Sequence, residues 1–211
     1  MMRSELKPEY FIREDAGEDE VFYATPRLVK HIDEPACVAL TDYYARNLPA
    51  DCAILDLMSS YASHLPVEPQ YYQVVGLGLN KVELEENPQL TECVIHNLNI
   101  NPSIPFPDRS FDACLLAVSV QYLTQPVQVL SDVARVLKPG ALLAISFSNR
   151  MFPSKAVAIW RRLGDADHSR LLELYLQTAG GWTEIEFEDL SPAPGQSDPL
   201  YVVSALRDGV G

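Results

Sequence analysis

Polar side chains follow three apolar runs of this chain, at points where strands of a sheet would end. Ser59 and Ser60 follow the run Cys52 to Leu57, and Tyr122 follows a later run. Hydroxyl groups hydrogen-bond carboxylates and sugars, so these residues could hold a polar small molecule. The alternative is that the two serines satisfy only the amides of their own turn, and that Tyr122 packs under Pro126.

The third apolar run, Ala141 to Phe147, is followed by Asn149 and Arg150. Arginine is suited to binding a carboxylate, so this pair could reach an acidic or hydroxylated substrate. His168 follows Asp167, and a neighbouring carboxylate can tune an imidazole toward work as a base. The alternatives are ordinary surface groups for the pair and an exposed histidine beside a capping aspartate.

The elements that must position these residues can be predicted from the pattern around them. Phe111 to Val118 is an apolar run of strand type, Pro126 to Leu137 has helical periodicity, and a second strand ends at Phe147. Lys138-Pro139-Gly140 is typical of a helix end. A strand, a helix and a strand form a βαβ unit with parallel pairing, and ligands of parallel sheets bind beyond the carboxyl ends of the strands.

The stretch from Ile104 to Phe147, IPFPDRSFDACLLAVSVQYLTQPVQVLSDVARVLKPGALLAISF, resembles the second half of a class I S-adenosylmethionine-dependent methyltransferase of type 11. The resemblance implies an α/β fold with a doubly wound, mostly parallel seven-stranded sheet. It also implies a final antiparallel strand pair, Trp182 to Leu190 and Pro199 to Leu206. SFSNRMFPSKAVAIW, GDADH and SDPLYVV look like stretches of a narrower methyltransferase-like group, which brings no substrate with it.

The same resemblance implies S-adenosylmethionine as the cofactor. Its contacts are expected from Asp56, Met58, Ser59, Ser60, Gly76, Gly78, Leu79, Asn80, Asn97, Leu98 and Ser119. Met58, Ser60 and Ala62 stand where the family has three glycines, and Gly78 stands where it has a carboxylate for the ribose hydroxyls. We therefore expect weaker binding than in a relative with an intact motif, and tighter binding after Gly78→Asp.

Several helices are predicted around the sheet. Glu34 to Asn47 reads as a helix before the first strand, and the helix between the first two strands is expected to shrink to a turn or two. Asn80 and Glu83 have the spacing of a capping box, and Asp165 or Asp167 is expected to cap a later helix.

The N-terminal segment is expected to cover the site. Tyr23, Arg27 and His31 have a spacing that could place them on one face of a helix over its mouth, as substrate-binding residues. A helix that merely docks on the sheet would look the same. We divide the chain, a single domain over 1–211, into this cap, 1–50, and a core over 51–207.

Composition narrows the function further. The chain has 211 residues, 47% of them hydrophobic, and a formal net charge of −13. That charge disfavours nucleic-acid and anionic-membrane partners and favours a small-molecule substrate. The start of the chain predicts neither a secretory signal nor a membrane span, so we expect a soluble cytoplasmic protein. The four scattered cysteines predict no metal site.

The sequence therefore predicts a methyltransferase that uses S-adenosylmethionine and a small-molecule acceptor, with Tyr122 and His168 as candidate catalytic residues. The alternative is a catalytically inactive protein of the same fold that acts as a binding or regulatory partner. The altered loop from Met58 to Ala62, together with Gly78, is the feature that favours the alternative. The oligomeric state stays open.

Overall fold

The computed structural model describes residues 6–209, which form one seven-stranded sheet with helices on both faces. The strands are β1 (Ala53–Leu57), β2 (Gln73–Gly78), β3 (Glu92–Ile95), β4 (Phe111–Ala117), β5 (Leu137–Phe147), β6 (Trp182–Asp189) and β7 (Tyr201–Arg207). Their order is β3-β2-β1-β4-β5-β7-β6. The first five are parallel, and β7 pairs antiparallel with both β5 and β6. The predicted α/β fold is confirmed.

The central strands bury both faces, as strands of a parallel sheet covered by helices must. Ile54 and Leu55 are both fully buried, but they belong to different clusters on opposite sides of the sheet. Adjacent side chains of a strand point to opposite faces, so one apolar run feeds two cores. This explains why the strands read as continuous apolar stretches rather than alternating ones.

The described helices are α1 (Asp19–Phe22), α2 (Glu34–Asn47), α3 (Lys81–Glu85), α4 (Pro126–Val136), α5 (Ala158–Arg162) and α6 (Asp165–Ala179). Helix α2 has the bounds predicted from the sequence. The Asp33 side chain accepts a hydrogen bond from Ala36 N at 3.0 Å, which satisfies an amide of its first turn. Leu40 and Tyr44 of α2 pack in one cluster, whereas α4 and α6 contribute to the other.

Three local predictions were wrong. Residues 58–72 contain no helix at all; the segment between β1 and β2 is irregular and includes Pro66 and Pro69, which disfavour a helix. Gly164, not Asp165 or Asp167, is the N-cap of α6, and both aspartates lie in its first turn. Lys138-Pro139-Gly140 lies inside β5, because that strand begins directly after α4.

The N-terminal segment is mostly irregular. Helix α1 ends at Phe22, so Tyr23, Arg27 and His31 lie in turns and extended chain rather than on one helical face. This corrects the predicted helix. Among the described residues, no helix is long and apolar enough to cross a membrane.

Candidate functional site

A cavity of about 510 Å³ lies over the carboxyl ends of the parallel strands. Pockets of this size hold one or two small molecules, and parallel sheets bind ligands at this edge. Residues 13–31, which we call the lid, cover part of it. The cavity is lined by the predicted residues Tyr23, Arg27, His31, Asp56, Met58, Ser59, Ser60, Gly78, Leu79, Asn80, Asn97, Leu98, Ser119, Tyr122, Asn149 and Arg150.

Asp56 is the buried carboxylate of the cavity, with 2% of its surface exposed. One of its oxygens, Oδ2, accepts hydrogen bonds from Ser59 Oγ at 2.5 Å and from Ser63 Oγ at 2.6 Å. Burial raises the pKa of Asp56 to about 6, although the two hydroxyl bonds act in the opposite direction. The charge state of this group is therefore sensitive to small changes around it.

The loop after β1 keeps the backbone shape that a glycine would favour. Met58 has φ 56°, in the left-handed region, and Ser59 N donates to Leu77 O at 2.9 Å. A side chain in that conformation costs on the order of 1–3 kcal/mol, so the surrounding contacts must hold it. Met58 thus occupies a backbone conformation in which glycine is usually favoured.

Gly78 makes room for this loop. A Cβ added to Gly78 would lie 2.3 Å from the backbone oxygen of Ser59. No side chain fits there unless the loop moves, because that separation is far below van der Waals contact. This contact argues against the expectation that Gly78→Asp would tighten cofactor binding, because the loop after β1 would have to move to admit the new side chain.

Glu83 is a second buried carboxylate, 7% exposed, in the first turn of α3. Its Oε2 accepts from Ser60 Oγ at 2.6 Å, and its Oε1 accepts from Arg27 N at 2.7 Å. It therefore joins the β1 loop to the lid. Sequence reasoning assigned Glu83 only to a capping box, because nothing local in the sequence shows that it faces the cavity.

Asn80 combines helix capping with a hold on the lid. Its Oδ1 accepts from Val82 N at 3.0 Å and Glu83 N at 3.2 Å. Its Nδ2 donates to Tyr23 O at 2.7 Å and Ala24 O at 3.2 Å. The amide is thus already engaged on both sides.

Asn97 is also engaged. Its Nδ2 donates to Glu20 Oε1 of the lid at 2.7 Å, and its Oδ1 accepts from Asn99 N at 2.9 Å. The neighbouring Leu98 is buried and contributes an apolar wall.

Two predicted residues lie outside the cavity. His168 is buried with its ring stacked on Trp160, 3.9 Å between centroids, and its Nε2 lies 2.9 Å from Trp160 O. Gly76 lies inside β2, where an added Cβ would meet Leu90 at 2.3 Å. His168 is therefore a packed core histidine, and Gly76 serves close packing, so neither of these two site assignments is supported.

The ends of β4 and β5 meet through Tyr122. Its hydroxyl accepts from Phe152 N at 2.8 Å, and the two rings stack with centroids 5.9 Å apart. Burial raises the pKa of Tyr122, so the phenol stays protonated near neutral pH and can donate a hydrogen bond. Ser119, on the same side, has a buried Oγ without a hydrogen-bond partner among the described residues.

The lid is fixed by a buried lysine that the sequence analysis did not single out. Lys155 has no exposed side-chain surface, and its Nζ donates to Gly17 O at 2.8 Å. The same Nζ lies 3.2 Å from carboxylate oxygens of Asp15 and Asp19. Arg13 also reaches Asp19, at 2.7 Å. Lys155 thus attaches the lid to the segment after β5, and Arg13 pairs with Asp19 inside the lid.

Asn149 and Arg150 line the outer rim, where Arg150 Nε lies 3.8 Å from Asp198 Oδ2. Within residues 6–209, no group of three or more histidine, cysteine, aspartate or glutamate side chains is arranged to hold a metal ion.

Comparison with known proteins adds a family match. Residues 55–145 match a model described as a methyltransferase domain. A biotin biosynthesis bifunctional protein BioHC of Teredinibacter turnerae is 35% identical over 79 residues, 37% of this chain and 14% of that protein. A demethylmenaquinone methyltransferase of Tropheryma whipplei is 42% identical over 64 residues, 30% of this chain and 26% of that protein.

The matched segments thus span about a quarter or less of these curated relatives. Among solved structures, a SAM-dependent methyltransferase from Aquifex aeolicus has a TM-score of 0.56 and 18% identity, covering 96% of this chain and all of that one. At 18% identity, this structural similarity shows a shared fold and not a shared function.

Proposed function

We propose that this chain is a class I S-adenosylmethionine-dependent methyltransferase that transfers a methyl group from this cofactor to a small-molecule acceptor, as the match of residues 55–145 to a methyltransferase domain supports. The main support for this proposal is the cavity at the carboxyl edge of the parallel sheet. Tyr23, Arg27 and Ser119 line it and each has a buried polar atom without a hydrogen-bond partner among the described residues. Such atoms are costly to bury alone, so a polar ligand is the natural partner.

The residues that line the cavity fit the cofactor, except that no carboxylate at the end of β2 is available to contact the ribose. Asp56, with its raised pKa, stands by the β1 loop, where a positively charged amino group of the ligand would favour the ionised carboxylate. Leu98 offers an apolar wall for the adenine. Gly78 offers no carboxylate for the ribose, and its neighbour Ser59 leaves no space for one.

Glu83 supplies the missing carboxylate. It lines the cavity, is buried, and uses only one hydrogen bond on each oxygen, from Ser60 and from Arg27 N. A carboxylate has about four acceptor sites, so two remain for hydroxyl groups. In this proposal, Glu83 takes over the ribose contact that relatives make from the end of β2.

When bound, the cofactor supplies an electrophilic methyl group on a sulfonium sulfur, which leaves as a neutral thioether. The task of the protein is to align the acceptor with that methyl group and to keep water out. Residues of the lid, together with Tyr122 and Phe152, form part of the cavity wall. Tyr122 can donate a hydrogen bond to an acceptor oxygen or nitrogen, which makes it the candidate catalytic residue that the geometry supports.

Titration calorimetry with S-adenosylmethionine and S-adenosylhomocysteine tests the proposal. We expect both to bind and to raise the melting temperature, more weakly than in a relative with a glycine loop. No heat and no thermal shift at millimolar ligand would contradict it. Binding without methyl transfer to any acceptor would instead favour the alternative, an inactive protein of the same fold that acts as a binding or regulatory partner.

A further inference from the structure

Aromatic rings from three parts of the chain meet on the lid side of the cavity. This ring cluster consists of Phe22 and Tyr23 of the lid, Tyr122 after β4 and Phe152 after β5. The Phe152 centroid lies 5.5 Å from that of Phe22, 6.3 Å from that of Tyr23 and 5.9 Å from that of Tyr122. Tyr23, Tyr122 and Phe152 line the cavity, so flat apolar surface faces any ligand there.

Arg27 lies within the ring cluster. Its guanidinium carbon is 4.9 Å from the Phe22 centroid, 5.7 Å from that of Tyr23 and 5.1 Å from that of Phe152. Its Nη2 donates to Phe22 O at 3.1 Å, whereas its Nη1 is buried without a hydrogen-bond partner among the described residues. The rings stabilise the cation but leave one of its donors unsatisfied.

The acidic groups nearest to Arg27 are already paired. Asp19 lines the cavity, but one of its oxygens accepts from Arg13 and contacts Lys155, and the other accepts from Asn99 at 2.9 Å. Glu83 accepts from the backbone of Arg27, not from its guanidinium. No carboxylate of the described residues forms an ion pair with the Arg27 side chain in the structure. Arg27 is partly buried, and its buried Nη1 has neither an anion nor another acceptor among the described residues, so we infer that a ligand supplies one.

We propose that the acceptor of the methyl group is a planar aromatic carboxylate, an inference that rests on the proposed function. Its ring lies against Tyr122 and Phe152, and its carboxylate accepts from Arg27 Nη1. Tyr23, whose buried hydroxyl also lacks a partner among the described residues, donates the second hydrogen bond. An aliphatic acid would satisfy the cation without using the rings, and a neutral aromatic would use the rings without satisfying the cation.

The test uses the full chain saturated with S-adenosylhomocysteine and benzoate as the probe, followed by ligand-observed NMR. Cyclohexanecarboxylate keeps the charge but is not planar, and benzamide keeps the ring but is neutral. We expect benzoate to bind roughly ten- to a hundredfold more tightly than benzamide, the range of a hydrogen bond to a charged group. We also expect it to bind more tightly than cyclohexanecarboxylate.

Arg27→Gln should weaken benzoate binding by the same factor and leave S-adenosylhomocysteine binding unchanged. Arg46→Gln is the matched control, since Arg46 is an exposed arginine paired with Glu188 far from the cavity. Arg27→Lys keeps a cation and should retain part of the affinity, and the melting temperatures of the variants show whether each is folded. Tyr23→Phe should cost a smaller, few-fold loss.

The outcomes separate this inference from the proposed function. Binding of S-adenosylhomocysteine without binding of benzoate would overturn the acceptor class and leave methyl transfer standing. Equal affinity for benzoate and either control compound would overturn the role of the charge or of the ring. Benzoate that binds the unliganded chain but not the chain saturated with S-adenosylhomocysteine would show that the two compete for Arg27, and would also overturn the inference. If S-adenosylhomocysteine fails to bind, the proposed function fails, whatever benzoate does.

Discussion

The backbone oxygen of Ser59 lies 2.3 Å from the point that a Cβ on Gly78 would occupy. Gly78, at the end of β2, and the loop after β1 therefore depend on each other. The backbone of the loop can pass through Ser59 as it does only because Gly78 has no side chain. A change at either position is therefore expected to affect the other.

Gly78→Ala should destabilise the protein by about 1–3 kcal/mol, because the added methyl group must displace the Ser59 carbonyl. Binding of S-adenosylhomocysteine should weaken as the loop moves. Urea denaturation and calorimetry measure the two effects. Gly209→Ala is the control, since Gly209 lies after β7, outside any helix or strand, and a Cβ there meets nothing within 4 Å. Equal stability of the two variants would show that the loop yields without cost.

Glu83→Gln should weaken S-adenosylhomocysteine binding by roughly ten- to a hundredfold, because a charge-assisted hydrogen bond becomes a neutral one. Calorimetry measures the affinity. Glu85→Gln changes the same side chain two residues along α3, where Glu85 only pairs with the exposed Lys81, and should have no effect. Unchanged affinity in Glu83→Gln would remove this residue from the ribose contact.

The stability of the wild type should depend on the charge of Asp56. The pKa of Asp56 is about 6 in the folded protein, whereas its ordinary value is 3.8. Between these two pH values the folded protein therefore binds more protons than the unfolded chain. Stability therefore falls as the pH rises from about 4 to 6, by about 3 kcal/mol from this group.

Asp56→Asn removes that group, so the difference between variant and wild type should grow in favour of the variant across this pH range and then level off. Denaturation at pH 4.5, 5.5 and 7 measures it. Asp42→Asn, at an exposed position of α2, is the control. A difference independent of pH would mean that Asp56 titrates as an ordinary carboxylate.

Asp19→Asn should release the lid and cost about 3–5 kcal/mol, because it leaves buried cations with a weakened partner. Faster tryptic cleavage after Arg27, together with a lower melting temperature, would report the release. Asp167→Asn breaks an exposed pair with Arg170 and should change little. Deleting the whole lid, in a chain that starts at Asp33, tests its role less well. That deletion removes Asp15 and Asp19, the partners of buried Lys155, so the protein should lose stability whether or not the lid contributes to ligand binding.

The elements that are local in sequence could be predicted. The periodic spacing of apolar residues and the N-cap residue Asp33 specify α2, and continuous apolar runs specify the central strands. The sequence analysis therefore predicted both kinds of element. The contact of Gly78 with Ser59 and the burial of Lys155 against Asp15 and Asp19 join distant parts of the chain, and no local pattern reports them. His168 was placed in the site because of neighbouring aspartates, whereas its ring packs on Trp160.

The lid of this protein is held by Lys155 and its carboxylates rather than by a ligand. The lid therefore loses its conformational entropy when the protein folds, not when a ligand binds. A ligand then binds to a cavity that is already formed. Segments that fold on binding bury about 1,000–3,000 Å² and show a large negative heat-capacity change. Ligand binding here should instead give a small heat-capacity change, of the size set by the ligand's own apolar surface.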